Sequence, residues 1–209
     1  MSEDEENPAK RQKMSDEAVP KFLVLDSHLT DDKCFACYAL VSPKNSQVLE
    51  PHKVKTLLTL AAVIPASLVL ADAQLSAAVT AAQLATLRNA TTANSFHAEI
   101  IYRLSRFRRV GEALKCFGIN FADPEAAQER LVVLVCGGTR EEATERFTRA
   151  VECFGSDVEV TSFTGLNPFV DVDSLAKVYE VTEAELKLYG GNQLLGSVLT
   201  KMSTKVCIR

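Results

Sequence analysis

Residues 131–142 read LVVLVCGGTREE, and this stretch decides the fold. Leu131 to Cys136 is the clearest strand in the chain, closed by Gly137–Gly138. Thr139 with Glu142 three places later is a capping box, so a helix begins straight after the turn. Ala143, Phe147, Ala150, Val151 and Phe154 continue one apolar stripe along it. A strand leading into an amphipathic helix makes a layered domain of helices and sheet.

Working outward from that unit, Phe22–Leu25 and Cys34–Val41 read as strands around a polar turn at His28–Asp32. Residues 50–62 look helical, Ser67–Leu70 a short buried strand. An Ala-rich helix then runs from Asp72, as N-cap, to about Leu87, with Leu75, Ala78, Val79 and Ala82 as its stripe. Past the polar loop Asn89–Asn94, Ser95 caps a helix carrying Phe96, Ile100, Ile101 and Leu104. A second short helix holds Val110, Ala113, Leu114 and Phe117 and stops at Gly118, read as a natural C′ residue. Val158–Phe163 should be a strand. Thr182 and Glu185 form another capping box before a short helix ending at Tyr189, and a last helix from about Asn192 carries Leu194, Leu195, Val198, Leu199 and Met202. No strict βαβ repeat and no internal repeat is visible. The expectation is a mixed α/β (α+β) single domain over residues 19–209, a small, mostly antiparallel sheet surrounded by helices.

Composition sets limits. With 209 residues, 47% hydrophobic and 24% charged, the chain has the make-up of one ordinary globular domain. Residues 1–18 have almost no apolar content and read as a disordered charged tail. Within it, Lys10, Arg11 and Lys13 beside Pro8 are either a short nuclear-import signal or a solvated charge run. No apolar leader precedes them, and six cysteines then suggest a reducing compartment. The segment between Lys55 and Arg88 has Asp72 as its one charge, but Pro65, Gln74 and Gln83 interrupt it, so it reads as interior, not as a membrane span. The formal charge of −4 hides a pattern. Residues 88–115 hold six bases and two acids, 123–185 five bases and fourteen acids, and 187–209 four bases and no acid. Two basic segments flank an acidic one.

The motifs of catalysis are thin. Cys34-Phe-Ala-Cys37 is a C-x-x-C, but strand alternation sends its two thiols to opposite faces, and Cys116, Cys136, Cys153 and Cys207 are scattered singles. Gly137–Gly138 lies at a helix start, yet neither phosphate-loop nor dinucleotide spacing is present, and Glu141 and Glu142 would face an anion. His28, His52 and His97 fall in unrelated segments without metal-pair or triad spacing. No catalytic residue, metal ligand or cofactor is assigned. A nucleotide-binding or thiol-redox enzyme using the glycine turn or the C-x-x-C stays open as an alternative. Two features remain. Arg103-Leu-Ser-Arg106-Phe107-Arg108-Arg109 suits single-stranded RNA, since guanidinium groups bind phosphates and stack on bases and a loop Phe can stack too; it could also be a solvated loop with Phe107 in the core. The stripe of the last helix either packs in the core or lies in a partner's groove, and Lys201, Lys205 and Arg209 beside it are basic.

Those residues carry a family resemblance. Glu99-Ile-Ile-Tyr-Arg-Leu-Ser105 with Val110-Gly-Glu-Ala-Leu-Lys-Cys-Phe-Gly-Ile119 resembles the central signature of the PRPK-binding protein (TPRKB) family. Leu194-Leu-Gly-Ser-Val-Leu-Thr-Lys-Met-Ser-Thr-Lys205 is similar to that family's ending, and Val172–Tyr179 resembles the helix before its last turn. The resemblance implies the small, non-catalytic, kinase-binding subunit of the KEOPS/EKC complex, with a mixed α/β fold. That complex installs threonylcarbamoyl on the adenosine next to the anticodon of tRNA, the chemistry belonging to another subunit. A member of this family is expected to dock on the atypical kinase/ATPase subunit (PRPK-like), to meet the other KEOPS subunits indirectly, and to help hold the tRNA 3′ end. It needs no cofactor and no membrane, and the expected location is nucleus and cytosol.

Carried over by position, the kinase-binding set is Leu194, Leu195, Val198, Leu199 and Met202. The family's tRNA-contacting loop falls on Ser105–Val110, and the RNA-binding set is Arg88, Arg103, Arg106, Phe107, Arg108, Arg109, Lys201 and Lys205. This chain departs from the family at Asn89-Ala-Thr-Thr-Ala-Asn94, where relatives carry several Lys or Arg. A scaffold that binds the kinase without touching RNA is therefore a further alternative.

Overall fold

A computed structural model of the protein describes residues 20–25, 34–44, 49–121, 130–185 and 193–207. The expected tail 1–18, the turn 28–32, the end of the helix before Tyr189 and Arg209 lie outside these. Five strands form one sheet: β1 (Lys21–Leu25), β2 (Cys34–Pro43), β3 (Ala62–Pro65), β4 (Leu131–Gly137) and β5 (Val158–Thr161). All pairings are antiparallel, in the order β1–β2–β4–β3 with β5 also on β2. Strand β2 is the hub. One of its edges faces β4, while the other is shared, β1 covering Cys34–Tyr38 and β5 covering Leu40–Pro43.

Among the described residues, seven longer helices pack around the sheet and one another: α1 (Pro51–Leu60), α2 (Asp72–Leu87), α3 (Phe96–Leu104), α4 (Val110–Phe117), α5 (Arg140–Glu152), α6 (Val172–Tyr179) and α7 (Gln193–Cys207). The period-2 rule sorts β2 cleanly. Ala36, Tyr38 and Leu40 join a core shared with α2, α3, α6 and α7, whereas Cys37, Ala39 and Val41 join a second core under α1 and α5. The expected α+β single domain is what folds.

The capping box of Thr182 and Glu185 forms as read, whereas that of Thr139 closes one residue early, on Gly138. Thr139 accepts from the Glu142 N–H at 3.1 Å, and the Glu142 carboxylate accepts from Gly138 N–H at 2.7 Å. Ser95 accepts from the Ala98 N–H at 3.2 Å. The region after α1 differs from expectation. The strand is Ala62–Pro65, not Ser67–Leu70, and Ala66–Leu68 is a 3₁₀ turn. Pairing with β4 decides this: Ala62, Val63 and Ile64 are fully buried opposite Leu134, Val133 and Val132, and Pro65, which lacks an N–H, ends an edge strand where none is required. Helix α1 accordingly stops at Leu60, two residues before the expected end. Asp72 is the first residue of α2, not its cap, and its carboxylate accepts from Gly165 N–H at 2.9 Å. Gly118 ends α4 in extended backbone, not in the left-handed conformation expected at C′, and a Cβ there would strike the Leu114 carbonyl.

Candidate functional site

The last helix lies across α2, and its stripe splits in two. Leu194, Val198 and Met202 are buried in the chain's own core, Val198 completely. Leu194 and Val198 are unavailable as anchors for a partner in this conformation, because their surface is already covered, and Met202 keeps only a small exposed area. Leu195 and Leu199 pack on the edge of that core and remain half-exposed.

Beside Leu199 a groove of about 680 Å³ opens between α2, α3 and α7. The small side chains Ala77, Ala81 and Ala85 of α2 and Met202 of α7 give it an apolar lining. Four cations also line it: Arg88 from the end of α2, Arg103 from α3, Arg108 from the following loop, and Lys205 from α7. The two basic segments, far apart in sequence, therefore meet on one surface. An apolar trough with guanidinium and ammonium groups along it can take a phosphate-bearing chain whose bases are unstacked.

The cations are not equivalent. Glu99, fully buried, binds Arg103 Nε at 2.7 Å and also accepts from the Thr92 and Ala93 N–H groups at 2.8 and 2.7 Å. One carboxylate thus neutralises Arg103 and fixes the polar loop that forms the groove's end. Lys205 Nζ donates to the Tyr102 and Ser105 carbonyls, the latter at 2.7 Å, and lies 3.8 Å from the Tyr102 ring centre. It caps the C-terminus of α3, where a cation complements the helix dipole. Burial first, and then the Arg103 charge, pull its ammonium down to about 7, with Glu99 acting in the opposite sense. Arg88 and Arg108 are exposed.

The other expected RNA contacts have different work. Arg106 donates to the Val178 carbonyl and to Glu180, each at 2.5 Å, so it ties the loop after α3 to the end of α6. Lys201 binds the Glu180 carbonyl at 2.7 Å and Glu185 at 3.3 Å. Phe107 is half-buried against the core with the Arg106 guanidinium 5.0 Å from its ring centre, as the plainer reading of that loop allowed. Arg109 is an exposed side chain 3.6 Å from Glu112. Sequence reading missed the alanines of α2, Tyr102 and the part played by Glu99. The Ala-rich composition of α2 was the available signal, since alanine at a helix crossing leaves room for a trough.

The C-x-x-C behaves as alternation required. Cys34 packs on one core and Cys37 belongs to the other, so these two thiols do not face each other. Burial pushes Cys37 up to about 12. Among the described residues, no group of three or more His, Cys, Asp or Glu could hold a metal ion, and no helix is long and apolar enough to cross a membrane.

Comparison with known proteins adds one match. The sequence model of a family described as kinase binding protein CGI-121 matches residues 44–206, a span that includes the groove and α7. No curated protein matches the chain.

Proposed function

The chain belongs to the CGI-121 family of kinase-binding proteins, and from that premise we propose that it is the non-catalytic, kinase-binding subunit of a KEOPS/EKC-type assembly that supports threonylcarbamoyl modification of tRNA. The carrying observation is the convergence of Arg88, Arg108 and Lys205 on one apolar groove beside the half-exposed Leu195 and Leu199. An apolar edge suits a protein partner and the adjoining cationic trough suits a single-stranded RNA end. The partner is an atypical kinase/ATPase of the PRPK type, with the remaining subunits met through it. The nuclear and cytosolic location belongs to the same proposal.

Two experiments test it. Leu195→Asp with Leu199→Asp should abolish co-purification with the kinase while the variant stays folded by circular dichroism. A folded variant that still binds moves the interface elsewhere, with the exposed Leu166, Phe169 and Val172 as the next surface to change. For RNA, the double variant Arg88→Glu, Arg108→Glu should weaken tRNA binding and lower its salt dependence, by about 0.7 in log–log slope for each lost single-strand phosphate contact. An unchanged slope removes the groove from the RNA site.

One observation favours a scaffold without RNA contact. Glu99 already neutralises Arg103, and the Lys205 ammonium is spent on α3, which leaves the groove with Arg88 and Arg108 as its outward charges. Unchanged tRNA affinity together with lost kinase binding in the respective variants would establish that reading.

A further inference from the structure

The opposite end of β4 carries a second cavity, of about 320 Å³, which no part of the proposed function uses. Cys34 at the start of β2, Cys136 near the end of β4, His97 and Arg146 line it, with Gly137 and Gly138. The register places Ala36 opposite Cys136 and Phe35 opposite Gly137, so Cys34 and Cys136 are diagonal neighbours on one face of the sheet. The two thiols are near enough for each to shift the other's ionisation. Diagonal neighbours in a regular ladder lie about 7–8 Å apart, beyond the usual disulfide span, so joining them requires the end of the ladder to shift. Here the ladder ends at Gly137, and neither glycine has a side chain to stand between the two sulfurs. His97 is 92% buried, from a residual exposure of 8%, and its Nε2 has no hydrogen-bond partner. His97 lines the cavity, where that unpartnered nitrogen can serve a bound molecule.

We infer that Cys34 and Cys136 form a peroxide-sensitive dithiol, Cys34 being the attacking sulfur and Cys136 the resolving one. Cys34 is the half-exposed member, whereas Cys136 is buried. The neighbouring Cys136 holds the Cys34 thiol below its ordinary pKa, while Cys34 and burial hold Cys136 well above. The Cys34 thiolate attacks one peroxide oxygen; an S–O bond forms, the O–O bond breaks and hydroxide leaves, taking up a proton to become water. Cys136 then attacks the Cys34 sulfur; the S–S bond forms, the S–O bond breaks, and the thiol proton of Cys136 leaves with the hydroxide as a second water. Two electrons pass from the dithiol to the peroxide. His97 Nε2 accepts a hydrogen bond from the thiol or the entering peroxide, and the Arg146 guanidinium, held by the Cys136 carbonyl at 3.0 Å, supplies positive charge nearby. A bridge at a strained diagonal position reverts readily with thiol reductants, as regulatory disulfides do.

The test uses the full chain treated with hydrogen peroxide, quenched, alkylated and mapped by mass spectrometry. Expected are one disulfide joining Cys34 to Cys136, its reversal by dithiothreitol, and Cys34 alkylation in the untreated protein about tenfold or more faster than that of Cys37. Cys136→Ser should leave Cys34 as a sulfenic acid trapped by dimedone, and Cys37→Ser should change nothing. A bridge from Cys34 to Cys37, or oxidation of Cys34 to the sulfinic acid with Cys136 still free in the unsubstituted chain, overturns the inference. So does a peroxide-treated chain with both thiols unchanged.

Discussion

The two faces of the sheet are finished differently. Under α1 and α5 the core is built of apolar side chains, with Leu57, Val63, Leu131, Val133 and Phe147 filling it. Under α2, α3, α6 and α7 a similar apolar core is threaded with buried polar ties. Gln74 donates to the Tyr179 hydroxyl at 2.9 Å, Tyr179 donates to the Leu104 carbonyl, and Asn167 donates to the Ala66 and Val69 carbonyls at 2.8 Å each. Apolar contact is non-directional and sets volume, whereas hydrogen bonds set position. The face that builds the groove is the one whose helices are held in register by bonds, and the other face is ballast.

The sharpest way to break this contrast is to remove volume from the plain face. Phe147→Ala should destabilise the fold by about 3–5 kcal/mol in denaturant unfolding, and Phe147→Leu by less than about 1.5 kcal/mol, with groove binding unchanged in both. Next comes a buried polar residue that touches both faces. His97 on α3 is engaged by Thr59 of α1 and lies near Arg146 of α5; burial first and then the Arg146 charge pull it from 6.5 to about 4, against the Thr59 bond. Between those two values the unfolded chain binds a proton that the folded chain does not. The His97 contribution to stability is therefore complete above 6.5 and falls away as the pH drops to about 4, by roughly 3 kcal/mol in all. His97→Leu should flatten that acid limb in urea midpoints measured across the range. The smallest effect sharpens the contrast on the polar face. Tyr179→Phe keeps the volume but leaves the Leu104 carbonyl and the Gln74 amide short of a partner, for about 1–3 kcal/mol. If it costs nothing, the two faces are alike.

What could be read from the chain follows the range of the forces involved. Strand β4 and helix α5 were legible because a capping box and two periodicities are local, and the opposed thiols of Cys34 and Cys37 followed from alternation alone. Strand β3 was not legible: Ala62 and Pro65 have little strand preference, and β4 imposes the conformation from outside. The basic cluster was visible as charge, yet its division was hidden. Arg106 meets Val178 and Glu180 across more than seventy residues of chain, and nothing near it in sequence announces that. The same holds for α7, whose spacing showed an oily side but not that α2 and α6 pack against it.

The hub position of β2 has a practical consequence for anyone cutting the gene. A truncated fragment begun at the matched boundary, residue 44, discards that strand entirely. Strand β1 goes with it, β4 would then present Leu131–Gly137, seven residues with no charge, as an open edge, and β5 would have nothing to pair with. Such a fragment is a template for fibrillar self-association rather than a minimal binding module. Expression of this protein for any assay should start upstream of Lys21.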